Sequence, residues 1–127
     1  MLIIKPVQSK DEQNELCQAC SISYLSDAFA YRADDEHFIG VCQFTFENNI
    51  GYIKNLAYAK NVNDSEAMII MLRTAMNFMY RCGIEESYIL DGTLNDELVR
   101  MSAYRPDENG VLYINLKTFY EAPCKHH

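Results

Sequence analysis

The sequence predicts an α+β domain in which helices flank a mixed, mostly antiparallel sheet. The patterns typical of strands and helices follow the order β-α-β-β-β-α-β-α-β. Three of these strands are consecutive, and a long helix then leads into a further strand. The chain has 127 residues and no linker rich in Gly, Pro or Ser. Residues 1–120 are therefore expected to form one domain, followed by a tail at residues 121–127.

The amino-terminal part predicts a strand, a helix and a second strand. Residues 2–7 are rich in Leu, Ile and Val, and they predict a strand that stops near Pro6. Residues 11–24 place apolar side chains at helical spacing and predict a helix. Residues 27–33 predict the second strand, and Asp34-Asp35-Glu36 predicts the turn that follows it.

A β-hairpin is predicted in the middle of the chain. His37–Glu47 is rich in β-branched and aromatic residues, which favours a long strand. Asn48-Asn49 follows, and asparagine tolerates the positive φ angles that tight hairpin turns require. Ile50–Ala59 then predicts the returning strand.

The long helix over about residues 64–82 has the clearest pattern. Asn63 is a favourable N-cap, Glu66 completes a capping box, and Gly83 predicts the end of the helix. An apolar stripe follows one face: Ala67, Ile70, Met71, Met76 and Met79. We interpret the methionines as core residues that fill irregular space.

The carboxyl-terminal third predicts three further elements. Residues 87–90 predict a strand, residues 96–103 a short helix, and residues 105–110 a loop. Residues 111–119 alternate between two faces and predict the last strand.

The charge balance excludes some partners. Asp and Glu number 18 against 11 Lys and Arg, for a net charge of −7. A nucleic-acid partner is therefore not expected, because phosphate tracking needs a basic face, whereas a cationic amine would be attracted. The longest strongly apolar run, Ala67–Leu72, is far shorter than the roughly 18–20 residues that cross a bilayer. With no signal-peptide pattern either, we expect no membrane association and a cytoplasmic location.

Most of the five cysteines are interpreted as core thiols, as in a reducing compartment. Cys17 and Cys20 have the spacing of a redox or zinc motif, and Cys124, His126 and His127 are the residues that could complete a zinc site. Two cysteines three positions apart on an amphipathic helix are more simply core residues, so no metal site is predicted.

Three segments, in this order, resemble the GNAT superfamily of N-acetyltransferases. Ile39-Gly40-Val41 followed by Phe44 resembles the family's third strand. Asn55-Leu56-Ala57-Tyr58, followed by a turn and a long helix, resembles the junction of the fourth strand and the phosphate loop. Ser102-Ala103-Tyr104-Arg105-Pro106 resembles the Leu-Gly-Phe-Lys-Pro segment after the last helix. The resemblance spans nearly the whole chain and implies a GNAT-like fold.

The resemblance also implies where acetyl-CoA would bind. In this family the loop before the long helix reads Arg/Gln-x-x-Gly-x-Gly/Ala, and its backbone N–H groups hold the diphosphate. On this chain the defined positions fall on Asn63, Glu66 and Met68, and all three depart from the pattern. The implied cofactor-binding residues are Leu56, Ala57, Tyr58, Asn63, Asp64, Ser65, Glu66 and Ala67.

The departures have an electrostatic consequence. Asp64 and Glu66 place two carboxylates where a diphosphate would sit, and each charge pair at about 5 Å would repel by roughly 3 kcal/mol at an effective dielectric of about 20. Lys60 and Lys54 could offset part of this repulsion. A self-capped structural helix is therefore favoured over a CoA cradle.

The catalytic candidates also rest on the resemblance. The family's general acid is often a tyrosine at a position that falls near Val99 here, and Tyr104 lies five residues later. Glu47, at the end of the third strand, is the carboxylate nearest the place of the family's general base. Glu47 and Tyr104 are therefore the candidates for acid–base catalysis.

Two functions remain open from the sequence. The first is an acyl-CoA-dependent N-acyltransferase, using acetyl-CoA and acting on a small amine, a protein N-terminus or a lysine. The second is a GNAT-like domain that has lost CoA binding and acts as a binding or dimerisation module, for example as a homodimer. A fold by itself does not decide between them.

Overall fold

The computed structural model describes residues 1–122 and confirms the predicted fold class. A seven-stranded sheet has the order β1-β2-β3-β4-β5-β7-β6 and is antiparallel except where β4 pairs with β5. None of the helices described within this range is long and apolar enough to cross a membrane. The elements are β1 (Ile3–Pro6), α1 (Lys10–Ala19), β2 (Phe29–Asp35), β3 (His37–Glu47), β4 (Ile50–Tyr58), α2 (Ser65–Arg81), β5 (Glu86–Ile89), α3 (Asp96–Ser102), β6 (Arg105–Pro106), β7 (Leu112–Asn115) and α4 (Leu116–Glu121).

The predicted hairpin is confirmed and forms the middle of the sheet. Asn48 and Asn49 adopt φ angles of 53° and 66°, the left-handed values that the tight turn requires. The register between β3 and β4 shifts after Gln43, which pairs with Asn55 while the next β3 residue pairs with Ile53. Lys54 is therefore the extra residue of a β-bulge, a feature that bends a strand and re-aims its side chains.

The long helix is confirmed, but its cap differs from the prediction. Asp64, and not Asn63, is the N-cap, because its carboxylate accepts a hydrogen bond from the Ala67 N–H at 3.1 Å. At the other end, Gly83 has φ 88°, and the Ile84 N–H donates to the Met79 carbonyl at 3.0 Å. This bonding pattern ends the helix at the predicted glycine.

The main core lies between α2 and one face of the sheet. The large side chains of α2 that are fully buried are mostly methionines, as predicted: Met68, Met71, Leu72, Met76 and Met79. Ile70, which the sequence placed in the apolar stripe, is exposed instead. The helix approaches the strands closely at two glycines. A Cβ on Gly40 would lie 3.1 Å from the sulfur of Met68, and one on Gly51 would overlap the sulfur of Met79. Gly40 and Gly51 therefore permit the large methionines opposite them.

Helix α1 packs on the other face of the sheet and is shorter than predicted. It ends at Ala19 instead of residue 24, because Ser21 turns out of the helix with φ 57°. The Ile22 N–H donates to the Cys17 carbonyl at 3.0 Å, which satisfies the exposed end of the helix. Residues 20–28 are consequently a loop beside the sheet.

The prediction of one final strand over residues 111–119 is wrong in its second half. Asn115 ends β7, and its side chain accepts from the Thr118 N–H at 2.8 Å, so it caps α4. Residues 105–106, predicted as loop, form the edge strand β6. Helix α4 ends at Glu121, one residue past the predicted domain boundary, and residues 123–127 of the predicted tail lie outside the described part of the chain.

Arg73 of α2 joins the three helices on this face. Its guanidinium donates to the Ser102 carbonyl at 2.7 Å and to the Met101 carbonyl at 3.0 Å, at the end of α3. The same group lies 5.2 Å from the ring centroid of Phe119 in α4. A cation at a helix carboxyl terminus satisfies free carbonyls and the helix dipole.

We expect Arg73→Met to lower the free energy of unfolding by about 2 kcal/mol, because it leaves charge-assisted hydrogen bonds unmade. Urea unfolding measures the loss. Arg81→Met is the matched control, since Arg81 is an exposed residue in the last turn of the same helix. Equal losses in the two variants would contradict this role for Arg73.

Candidate functional site

Strands β4 and β5 separate halfway along β4, and this opens the sheet. Their pairing runs from Ile50 with Glu86 to Ile53 with Ile89, and the Leu90 N–H donates to the Ile53 carbonyl at 2.8 Å. Strand β5 then ends, while β4 continues to Tyr58. The bulge at Lys54 falls at the same place. The second half of β4 therefore has an edge without a neighbouring strand.

A cleft of about 320 Å³ follows this open edge. We call it the β4 cleft. It brings together three residues that the resemblance assigned to cofactor binding, Leu56, Ala57 and Tyr58. The other lining residues come from the end of α1 and from the segment that leads into α3: Cys20, Ser21, Ile22, Thr93, Leu94, Asn95 and Leu98.

The backbone N–H of Leu56, a residue that lines the cleft, already has a hydrogen-bond partner. Asp91, two residues after the end of β5, accepts from it through Oδ2 at 3.0 Å. The other carboxylate oxygen of Asp91 accepts from the N–H and the hydroxyl of Thr93, at 2.9 and 2.6 Å. Asp91 is not among the site residues predicted from the sequence. The available signal was a carboxylate and a glycine, Asp91-Gly92, immediately after a short strand.

Tyr58 lies at the far end of the same edge. Its hydroxyl is buried and has no hydrogen-bond partner among residues 1–122. Burial is the main cause that raises the pKa of this hydroxyl, the backbone of Asp64 partly opposes it, and the negative charges of Asp64 and Glu97 raise it further. The cleft therefore leads from the point where the strands part towards an acidic region at the start of α2.

The first turn of α2 has a hydrogen-bond acceptor supplied by the chain itself. The Asp64 carboxylate accepts a hydrogen bond from the Ala67 N–H, and the neighbouring residues Asn63 and Glu66 are exposed. Met68, at the second glycine position of the resembled pattern, is fully buried in the core. Lys60 is the single basic residue in the segment between β4 and α2. This helix start does not fit a diphosphate, because a carboxylate already accepts from its first turn.

A second pocket, of about 300 Å³, contains Glu47. Asp27 and Lys54 supply further charges, and Leu90 reaches it from the end of β5. The ammonium of Lys54 lies 5.7 Å from the ring centroid of Tyr52, which also lines this pocket. Lys54 and Leu90 flank the place where the strands part, and this pocket shares no lining residue with the β4 cleft.

Tyr104 is placed in the core. Its side chain is fully buried, and its hydroxyl donates to the Ser87 hydroxyl at 2.8 Å. Burial raises the pKa of Tyr104 far above its usual range. Tyr104 lines neither of the two cavities, so the structure does not bring it together with Glu47.

Two buried amide side chains, Gln13 and Gln43, and the half-buried Asn55 hold the loop at residues 20–28 against the sheet. Gln43 Oε1 accepts from Gln13 Nε2 at 2.8 Å and from the Leu25 N–H at 3.0 Å. Gln43 Nε2 donates to the Ser23 carbonyl at 2.9 Å and to Asn55 Oδ1 at 2.7 Å. This network fixes the loop beside the bulge. It was not predicted from the sequence, because the three residues are distant from one another in the chain.

The cysteine pair on α1 is part of the smaller core. Cys17 and Cys20 are buried and free, and burial raises the pKa of the Cys20 thiol to about 11. A thiol with so high a pKa is a poor nucleophile at neutral pH. Cys124, His126 and His127, the other candidate zinc ligands, lie outside the described residues.

Comparison with known proteins gives matches in fold. No protein-family model and no curated protein matches the chain. A mutant spermidine N-acetyltransferase from Vibrio cholerae has a TM-score of 0.71 at 8% identity, covering 94% of this chain and 96% of that one. The ribosomal-protein-S18-alanine N-acetyltransferase of Escherichia coli has a TM-score of 0.67 at 8% identity, covering 91% and 94%.

An acetyltransferase from Bacillus subtilis, solved in complex with CoA, has a TM-score of 0.65 at 17% identity. The match covers 91% of this chain and 99% of that protein. These matches extend over nearly the whole chain. The chain has the fold of the GNAT N-acetyltransferases.

Proposed function

We propose that this protein is an N-acyltransferase that takes its acyl group from an acyl-CoA, with acetyl-CoA as the simplest donor. The observation that carries the proposal is the open edge of β4 beside a cleft, which begins where β4 and β5 separate. An extended ligand with amide groups can pair with such an edge as an additional strand does. Structures of the same fold include acetyltransferases solved with CoA.

The β4 cleft fits the extended arm of the donor better than the start of α2 fits its diphosphate. Leu56 and Tyr58 would hold the arm through backbone groups, and Leu94 and Leu98 would pack against it. Acyl-CoA would supply an activated thioester as the source of the acyl group, and CoA would leave as the free thiol when the carbon–sulfur bond breaks. Lys60 is the cation nearest in sequence to the start of α2, so we expect weaker donor binding than a phosphate-binding loop would give.

The second pocket suits an amine acceptor. Its carboxylates, Asp27 and Glu47, attract a cation, and the net charge of −7 adds a long-range attraction. An ammonium must lose a proton before its nitrogen can attack a carbonyl carbon, and Glu47 is the proposed acceptor of that proton. Small amines, protein N-termini and lysine side chains share this chemistry.

Calorimetric titration of acetyl-CoA and CoA into the protein tests donor binding. We expect saturable binding in the micromolar range. At about 100 times the dissociation constant, the ligand should stabilise the fold by about 2.7 kcal/mol and raise the melting temperature by about 10 °C.

A pair of variants locates the binding site. Leu94→Trp places a larger side chain in the β4 cleft and should abolish donor binding. Ile70→Trp is the matched control, since Ile70 is an exposed residue of α2 that does not line the cleft, and it should bind as the wild type does. Equal binding by both variants would place the donor elsewhere.

A second candidate function is a binding or dimerisation module without a cofactor. The specific observation in its favour is that carboxylates of the chain already accept hydrogen bonds from the backbone where a donor would bind. Asp64 accepts from an N–H at the start of α2, and Asp91 accepts from an N–H of β4. Absence of both heat and thermal shift up to millimolar acetyl-CoA would favour this candidate. Sedimentation analysis would then test self-association.

A further inference from the structure

We propose that Asp91 controls the access of the acyl donor to β4, as a positioning residue that must release the Leu56 N–H before the donor can bind. This inference rests on the proposed donor site. Its basis is the 3.0 Å hydrogen bond between the N–H of Leu56, which lines the β4 cleft, and Asp91 Oδ2.

Asp91 continues the β4–β5 ladder with a side chain. The last backbone bond of the ladder joins the Leu90 N–H to the Ile53 carbonyl. Beyond it, Lys54 and Asn55 lie at the bulge, and the Leu56 N–H is the next group that bonds towards the β5 side. The carboxylate therefore holds the first backbone donor that a ligand entering between the strands would meet.

The carboxylate competes with a donor in two ways. A thioester or amide carbonyl of the ligand needs the same N–H group that the Asp91 carboxylate accepts from. The negative charge of Asp91 also repels the electron-rich carbonyl oxygen in a partly desolvated cleft. A hydrogen bond to an ionised carboxylate is stronger than one to a neutral carbonyl. A ligand that has to displace the carboxylate therefore binds less tightly than it would to a free Leu56 N–H.

The surrounding chain lets Asp91 move. Asp91 is half-buried, and Gly92 next to it is exposed and has no heavy atom within 4 Å of its Cβ direction. The second carboxylate oxygen stays bonded to Thr93 at 2.9 and 2.6 Å. A rotation about this anchor frees the Leu56 N–H without leaving the carboxylate unsatisfied.

The test compares acetyl-CoA affinity in the wild type, Asp91→Ala and Asp91→Asn by calorimetry. Asp91→Ala removes both the charge and the acceptor, and we expect an affinity about tenfold higher. Asp91→Asn removes the charge but keeps an acceptor oxygen, and should give an intermediate gain. Asp96→Ala is the matched control, because Asp96 is an exposed acid in the first turn of α3 and the Leu56 N–H bonds to Asp91 instead, and this variant should bind as the wild type does.

A second readout follows the Leu56 amide directly. Its hydrogen exchange, measured by ¹⁵N NMR without ligand, should be faster in Asp91→Ala and nearly unchanged in Asp91→Asn. Adding acetyl-CoA should restore protection in Asp91→Ala.

The outcomes separate this inference from the proposed function. Wild-type binding that neither Asp91 variant tightens would overturn the control by Asp91 and leave the acyltransferase proposal standing. No binding by any of the proteins would overturn both. Tighter binding by Asp96→Ala equal to that of Asp91→Ala would show a general effect of charge and would also overturn the inference.

Discussion

Replacing Gln43 with Leu is expected to lower the free energy of unfolding by about 3 kcal/mol or more. Gln43 is fully buried and makes four hydrogen bonds, to Gln13, Ser23, Leu25 and Asn55. Leucine has a similar size but leaves these groups without their partner inside the protein, and each buried unsatisfied group costs about 1–3 kcal/mol. Urea unfolding measures the loss, and the slope of the unfolding free energy against urea concentration should be the same in the variant and the wild type.

The matched control for this prediction is Gln18→Leu. Gln18 is exposed on α1, so the same chemical change should alter stability by less than about 0.5 kcal/mol. Hydrogen exchange should also show faster opening of the loop at residues 20–28 in Gln43→Leu, because this network anchors it. A stable Gln43→Leu variant with a protected loop would mean that the network contributes little.

The second large effect is expected at Tyr104. Tyr104→Ala should lower the free energy of unfolding by about 4 kcal/mol, because it empties a fully buried position in the main core. Tyr104→Phe keeps the ring and removes only the hydroxyl, so we expect a loss of about 1 kcal/mol. Thermal and urea unfolding of the two variants measure the difference.

A double-mutant cycle with Ser87→Ala separates the hydrogen bond from the packing. The Tyr104 and Ser87 hydroxyls are 2.8 Å apart, so the losses of Tyr104→Phe and Ser87→Ala should be coupled by about 1 kcal/mol. Additive losses would show that the bond is not formed in solution. An accessible Tyr104, titrating near the ordinary pKa of tyrosine, would contradict its place in the core.

Elements with strong local signals could be predicted closely. The hairpin was predicted because its two asparagines suit a left-handed turn between two β-rich runs. Helix α2 was predicted because its apolar stripe and Gly83 are readable within about 20 residues of sequence. Its N-cap was misplaced by one residue because Asn63 and Asp64 are both good caps, and only the path of the incoming chain selects Asp64.

Elements that depend on distant partners were predicted less well. Residues 116–119 alternate as a strand does, but the Leu116 N–H bonds to the Glu85 carbonyl and Asn115 caps a helix instead. Tyr104 was a catalytic candidate because of its place after α3. Its position in the core depends on Ser87, which is 17 residues away in the chain.

The sequence by itself determined the order of the elements from β1 to α3, the sheet type and the departures at Asn63, Glu66 and Met68, because propensity, periodicity and charge are local properties. Only the tertiary structure decided which backbone groups stay free in the cleft. Three features of the site depend on segments that are 12 or more residues apart in the chain. They are the point where β4 and β5 separate, the hydrogen bond from the Leu56 N–H to Asp91, and the network around Gln43. Such contacts leave no periodic trace in a single sequence, since they depend on how the chain packs in space.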